Sequence, residues 1–87
     1  MPRISAFYGI TIWMYWNEGT HASPHFHARY AGRVASVALD GAVIAGSLPR
    51  RALVLVAEWA ALHQEELLAN WERARVAEAL HPIEPLP

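Results

Sequence analysis

The apolar pattern of this sequence changes its period once, at Gly46, and this change limits the folds open to the chain. Before Gly46, alternating apolar positions and a wealth of β-branched and aromatic residues are typical of strands. After it, apolar residues recur every three or four positions, as on one side of a helix. The sequence therefore predicts one α+β domain over residues 1–87, with a sheet in 1–46, helices in 47–80 and a proline-rich tail in 81–87.

Two turn signals organise the sheet half. The segment from Ile4 to Trp16 is rich in aromatic and β-branched residues and is predicted as one long strand. Ala31-Gly32 and Asp40-Gly41 are predicted as two-residue hairpin turns. The sequence thus predicts an antiparallel β-meander of three or four strands. Counting outward from the turns gives the pairs Tyr30–Arg33, His27–Ser36, His25–Ala38, Val37–Ile44 and Ala38–Val43.

The helical half is predicted to contain two helices that cover one face of the sheet. Ser47 is the predicted cap of the first helix. A break at His63-Gln64 is expected, because a single rod of about 30 residues would be longer than so small a sheet. Trp59 and Trp71 lie in the apolar stripe of the helices and are predicted core residues.

The stretch SPHFHARY gives the sheet its most distinctive polar side, because a strand places His25, His27 and Arg29 on one face. The first interpretation of this face is a surface that binds another protein, since a solvated strand carries polar residues at alternate positions. Aromatic residues on both sides of the first strand indicate an exposed apolar patch, which favours a homo-oligomer or a partner protein. On this interpretation the partner-binding residues are Trp13, Tyr15 and Ser36.

Two other interpretations of the same face remain open. One is a metal-independent endoribonuclease that binds RNA, with His25 and His27 as acid and base and Arg29 stabilising charge on the phosphate. The other is a metal site at the two histidines, although an H-x-H pair alone is a weak signal. No cofactor is predicted, and whether the chain is an enzyme stays open. The candidates for a third metal ligand are His21, Glu18 and Asp40.

Composition excludes several classes of function. The chain has no cysteine, so a disulfide framework, a thiolate zinc site and a cysteine nucleophile are excluded. Residues 1–51 hold five arginines against two carboxylates, whereas residues 52–87 hold two arginines against six glutamates. DNA binding is not predicted, because the helical half is net acidic. With no signal-peptide pattern and no apolar run of about 20 residues, we expect a cytoplasmic protein without a membrane segment.

Several motifs of the chain occur together in one known family. They are ISAFYGITIWMY at 4–15, PHFHARY at 24–30, GSLPRRAL at 46–53, EWAALHQEELLANWERA at 58–74 and IEPL at 83–86. In this order they resemble a family of short bacterial proteins catalogued as a domain of unknown function. Members typically carry two prolines before the first histidine, where this chain has Ser23-Pro24.

The resemblance implies a genetic context rather than a chemistry. Genes that resemble this one form one half of compact two-gene modules, next to a gene for another small protein that sometimes carries a DNA-binding segment. That arrangement is similar to a toxin–antitoxin pair. On this resemblance we expect a small component that acts through contact with the neighbouring gene's product. We expect the toxin half, because the neighbour is the one that resembles a DNA binder.

Overall fold

The computed structural model describes residues 2–16 and 23–87. Its strands form one antiparallel sheet in which each strand lies beside its neighbours in the sequence. The α+β class, the meander order and the two C-terminal helices confirm the prediction, with five strands where three or four were expected. The elements are β1 (Arg3–Phe7), β2 (Ile10–Trp13), β3 (His25–Tyr30), β4 (Arg33–Ala38), β5 (Val43–Gly46), α1 (Arg50–Leu62) and α2 (Gln64–Arg75).

The additional strand arises because the segment from Ile4 to Trp16 contains a hairpin, β1 and β2, and is not one long strand. Tyr8 and Gly9 both have positive φ angles, 51° and 80°. This is the backbone of a two-residue hairpin turn, whose first position usually holds Asn, Asp or Gly. A tyrosine at that position conceals the turn from sequence analysis. The turn also shifts the alternation, so that Phe7 and Ile10 both face the core although a single strand would put them on opposite sides.

The hairpin of β3 and β4 has the predicted register. Its pairs include His25–Ala38, His27–Ser36 and Tyr30–Arg33. The predicted register of β5 holds at Ala35–Gly46 and Ser36–Ala45, but it slips by one residue at Val37, which pairs with Val43 after an irregularity between Ser36 and Val37. The predicted pairs Val37–Ile44 and Ala38–Val43 therefore do not form. Ile44 is 54% exposed, although its predicted partner Val37 is fully buried in the core.

The helical half divides at the predicted place, with α1 ending at Leu62 and α2 beginning at Gln64. The prediction that Ser47 caps α1 is wrong. Pro49 occupies the cap position, and no side chain of the described residues caps this helix. A cap at Ser47 would make Leu48 the first residue of the helix. Leu48 precedes Pro49, and a proline disfavours the helical conformation of the residue before it.

The second helix ends earlier than the predicted boundary at residue 80. Its last residue is Arg75, and Ala77 has a φ of 58°. The backbone N–H of Glu78 donates to the carbonyl of Arg73 at 2.9 Å. A residue in this left-handed conformation, followed by such a bond, is a common way for a helix to end. The chain thereby turns back toward the sheet before the tail begins.

The core lies between the helices and one face of the sheet. Trp59 is fully buried at its centre, and its ring centroid lies 5.5 Å from that of Phe7 and 5.6 Å from that of Phe26. Trp71 is 5% exposed, so the predicted core positions of both tryptophans are confirmed. In the described residues, no helix is both long enough and apolar enough to cross a membrane.

The tail at residues 81–87 packs against both the sheet and a helix. Ile83 is buried, and its backbone N–H donates to the carbonyl of Ile4 in β1 at 2.8 Å. The indole N–H of Trp59 donates to the carbonyl of Glu84 at 2.8 Å. The tail thus completes the core from the side of β1.

Candidate functional site

The sheet has a second face, which points away from the helices. Ile12, Ala28 and Ala35 lie side by side on β2, β3 and β4 and are fully buried against the helices. Because side chains alternate along a strand, their neighbours point to the opposite side. We call that side the outer face. It is formed by Thr11, Trp13, Tyr15, His25, His27, Arg29, Val34, Ser36, Ala38 and Ala45.

Four rings form a continuous row along the outer face and its end. The ring centroid of His27 lies 4.7 Å from that of Tyr15 and 5.3 Å from that of His25. The ring of His25 lies 5.2 Å from Trp71, which reaches this point from α2. Neighbouring rings are tilted or edge-on, an arrangement that stabilises aromatic pairs by about 0.5–1.5 kcal/mol. These contacts hold both histidine rings in defined positions.

Arg29 extends the row at its other end. One terminal nitrogen of its guanidinium donates to the hydroxyl of Tyr15 at 2.9 Å. The guanidinium carbon lies 4.8 Å from the ring centroid of Trp13, a cation–π contact. The indole N–H of Trp13 donates in turn to the hydroxyl of Thr11 at 2.9 Å. The guanidinium therefore contacts two aromatic side chains, Tyr15 through its hydroxyl and Trp13 through its ring.

The two histidines have different hydrogen-bond partners. Nδ1 of His25 lies 2.7 Å from the carbonyl oxygen of Ser23. A carbonyl only accepts, so this nitrogen carries the proton. Nδ1 of His27 lies 3.5 Å from the hydroxyl of Ser36, its cross-strand neighbour. Whether the two histidines could act as the acid and base of an endoribonuclease depends on the distance between their rings.

Phosphoryl transfer places the attacking and leaving oxygens roughly in line on opposite sides of the phosphorus. The rings of His25 and His27 are in edge-to-face contact at 5.3 Å, so a phosphate does not fit between them. The guanidinium of Arg29 is already engaged by Tyr15 and Trp13. The arrangement suits a preformed binding surface better than an acid–base pair.

The metal interpretation needs a third ligand near His25 and His27. Residues 2–16 and 23–87 contain no group of three or more His, Asp or Glu side chains that could hold a metal ion. The carboxylate of Asp40 accepts the backbone N–H of Ala42 at 3.0 Å, within the turn between β4 and β5. The other two candidates for a third ligand, Glu18 and His21, lie outside the described residues.

A shallow groove of about 470 Å³ continues the outer face toward β5. Small side chains in β4 and β5 leave this space, while Ile44 forms its rim. The exposed position of Ile44 follows from the irregular pairing of β5. The groove is lined by Ser23, His25, Ser36, Ala38, Ile44 and Ala45.

The structure brings all six residues singled out from the sequence to the same outer face. Sequence analysis missed two contributors, Thr11 and Trp71, and the position of Ile44 at the rim of the adjoining groove. Trp71 belongs to the helical stripe, and nothing in the sequence indicates that α2 reaches His25. Ile44 could not be placed correctly without knowing the irregularity in β5. The six residues predicted for catalysis or binding are Trp13, Tyr15, His25, His27, Arg29 and Ser36.

Comparison with known proteins identifies a family but no characterised relative. Comparison with curated proteins and with solved structures gave no match. Residues 9–72 match the family described as a domain of unknown function, DUF4160. That range runs from the β1–β2 turn to α2, includes the outer-face residues on β2, β3 and β4, and covers more than half of the chain. The chain therefore belongs to the DUF4160 family.

Proposed function

We propose that this chain is a small cytoplasmic component, the toxin half, of a bacterial two-gene module that resembles a toxin–antitoxin pair. It acts by binding the neighbouring gene's product through the outer face. The observation that carries this proposal is the ring row joined to Arg29, on a sheet face that the helices leave uncovered apart from Trp71 at its end. Tyrosine, tryptophan and arginine are the residues that most often dominate the binding energy of protein interfaces.

The outer face has little conformational freedom to lose on binding. Tyr15 and His27 are in ring contact, and Tyr15 also accepts a hydrogen bond from Arg29. Side chains that are ordered before association avoid part of the entropy cost, about 0.5–1.5 kcal/mol for each flexible side chain. The face is thus preorganised for a partner of complementary shape.

The charge of this half of the chain indicates the character of the partner. Residues 1–51 carry five arginines and two carboxylates. The guanidinium of Arg29 donates to Tyr15 through one terminal nitrogen and retains further N–H groups that can donate to a carboxylate. We therefore expect the partner to present an acidic patch that is complementary to the outer face.

The place in a two-gene module is supported by the family resemblance. The genes of similar proteins stand beside a gene for another small protein, which sometimes carries a DNA-binding segment. If that neighbour is the antitoxin, expression of this chain alone arrests bacterial growth, and expression of both genes together restores it. The growth of cells carrying each gene alone and both together is the direct measurement.

The matching biochemical experiment is titration of the purified neighbour with wild-type chain and with two variants. His25→Ala/His27→Ala and Arg29→Ala should each weaken binding by about tenfold or more, because they remove central contacts. The controls are His81→Ala and Arg75→Ala, which change exposed residues of the tail and of α2.

Equal loss of affinity in the variants and in their controls would refute the outer face as the binding surface. Absence of any complex with the neighbour would refute the proposed partner. Circular dichroism and thermal unfolding of every variant separate a lost contact from a lost fold. If expression of this chain arrests growth but no complex with the neighbour forms, toxicity does not depend on binding to the neighbour.

A further inference from the structure

The two edges of the sheet differ in what lies beside them. At β1, the tail donates a backbone hydrogen bond from Ile83 to Ile4. At the opposite edge, every residue of β5 is exposed, with Val43 at 43% and Ile44 at 54%. Within the described part of the chain, β5 pairs with β4 and with no other strand. One edge is thus partly covered by the chain itself, and the other presents unpaired backbone groups.

The sequence of β5 lacks two of the usual protections of a sheet edge. Proteins often prevent unwanted pairing with charged side chains, especially lysine, or with proline in the edge strand. The sequence Val-Ile-Ala-Gly contains neither. Its irregular pairing with β4 turns Ile44 toward the groove of the outer face, so apolar surface is exposed beside the unpaired backbone. An apolar edge of this kind favours strand addition.

We propose that β5 pairs antiparallel with β5 of a second copy of this chain, forming a two-fold symmetric dimer with one continuous sheet. A two-fold contact uses the same patch on both subunits, so the patch has to be complementary to itself. The apolar side chains at the centre of β5 meet this requirement. Val43 and Ile44 of one copy would lie against their counterparts or against the groove of the other.

The charges flanking β5 support the antiparallel arrangement. Asp40 precedes the strand and Arg50 follows it, and both side chains are exposed. Antiparallel pairing brings the Asp40 turn of each copy toward the Arg50 end of the other, placing opposite charges together at both ends. Parallel pairing would place like charges together. The charge pattern thus favours antiparallel over parallel pairing of two copies.

The size of the contact sets the expected affinity. Stable interfaces bury about 1,600 Å² in total, and pairing of one short strand with its rim buries less. We therefore expect a weak dimer, with a dissociation constant of roughly 1–100 μM. This association does not require the neighbouring gene's product, so it goes beyond the proposed function.

Sedimentation equilibrium of the purified chain tests the proposal. About half or more of the wild-type chains should be in dimers at about 100 μM, and the dimers should dissociate on dilution. Ile44→Lys should be monomeric, because it places a charge at the centre of the pairing edge. Leu62→Lys is the matched control, since Leu62 is 64% exposed at the end of α1, and it should remain dimeric.

A second variant tests the orientation. Asp40→Asn keeps a side-chain oxygen for the turn bond to Ala42 and removes only the charge. It should raise the dissociation constant several-fold, and added salt should weaken the wild type more than this variant. Equal salt dependence of both proteins would overturn the antiparallel charge pairing.

A wild type that stays monomeric at about 100 μM would overturn the dimer. So would an Ile44→Lys variant that dimerises like the wild type. If the wild type is monomeric alone and Ile44→Lys loses binding to the neighbour, the edge belongs to a partner strand and the second-copy proposal is wrong. If Ile44→Lys is monomeric and still binds the neighbour through the outer face, both proposals stand as separate contacts.

Discussion

The side-chain amide of Asn70 pairs with both backbone hydrogen-bonding groups of His81. Its Nδ2 donates to the His81 carbonyl at 2.8 Å, and its Oδ1 accepts the His81 N–H at 2.9 Å. The same oxygen accepts a bond from Arg73 at 2.9 Å. Asn70 is fully buried, so these bonds satisfy a polar group that would otherwise be costly to bury. The Asn70 side chain thus bonds the backbone of the tail at both its N–H and its carbonyl, as a neighbouring β-strand would, and so holds the start of the tail in place.

Asn70→Ala should destabilise the protein by about 2 kcal/mol, because it removes three hydrogen bonds in a buried site. For a domain of this size, that corresponds to a fall of roughly 8–16 °C in Tm. His81→Ala should change Tm little, since Asn70 binds only the backbone of that residue. Thermal unfolding followed by circular dichroism compares the two variants. Similar Tm values for both would contradict the assigned role of Asn70.

Gly46→Ala should be among the most destabilising single changes in the sheet. Gly46 has a φ of 77°, and an added Cβ would collide with the backbone oxygen of Val34. We expect a loss of about 3 kcal/mol, from positive φ and the clash together. Gly32→Ala is the control, because its φ is also 77° but no atom lies within 4 Å of the added carbon. It should cost only about 1 kcal/mol.

Urea unfolding of both glycine variants measures this difference directly. A Gly32→Ala variant as unstable as Gly46→Ala would show that backbone conformation, and not the contact with Val34, sets the cost. The comparison also tests the path of the chain at the end of β5, because Gly46 approaches β4 closely only if the observed pairing is correct.

These elements show which parts of the fold can be predicted from a sequence. The register of β3 and β4 followed from the Ala31-Gly32 turn and from alternation, because both are local properties. The Tyr8-Gly9 turn was missed because a tyrosine with positive φ is held there by surrounding structure, not by its own preference. The end of α2 was missed for a related reason, since Ala77 has a positive φ that alanine does not itself favour.

Tyr15→Phe tests the contact between Tyr15 and Arg29. Loss of the hydroxyl leaves the guanidinium without this acceptor, so affinity for the neighbouring gene's product should fall by about 1 kcal/mol, or several-fold. Tyr8→Phe removes a hydroxyl that donates to the carbonyl of Pro87 instead. Tyr8→Phe should change the free energy of unfolding about as much as Tyr15→Phe does, without changing the affinity for the neighbouring gene's product. Isothermal titration decides, and equal affinities for both variants would contradict the role of the Tyr15 hydroxyl.

Incubation with RNA tests the alternative use of the same histidines. Because the rings of His25 and His27 are in contact, we expect the wild type to leave RNA intact, even at about 100 μM protein. Gel electrophoresis of a mixed-sequence RNA is the measurement. Cleavage by the wild type that disappears in a well-folded His27→Ala variant would reverse the conclusion and establish the endoribonuclease function.

The composition of the outer face could be predicted from the sequence, but its contacts could not. Alternation alone puts His25, His27 and Arg29 on one side of β3. The contact of Arg29 with Tyr15 depends on the path of the chain beyond β2, and the contact of His25 with Trp71 depends on where α2 packs. Such contacts arise from tertiary packing, which no local pattern in the sequence encodes.

The position of the tail also limits how this protein can aggregate. A sheet with two free edges can add further copies at both ends and grow into a fibre, whereas one with a single free edge stops at two copies. The bond from Ile83 partly covers the β1 edge, so β5 is the more open edge in the described part of the chain. If the proposed dimer forms, the proline-rich C-terminal segment would hinder growth beyond two copies, and we expect a chain shortened at residue 80 to polymerise more readily.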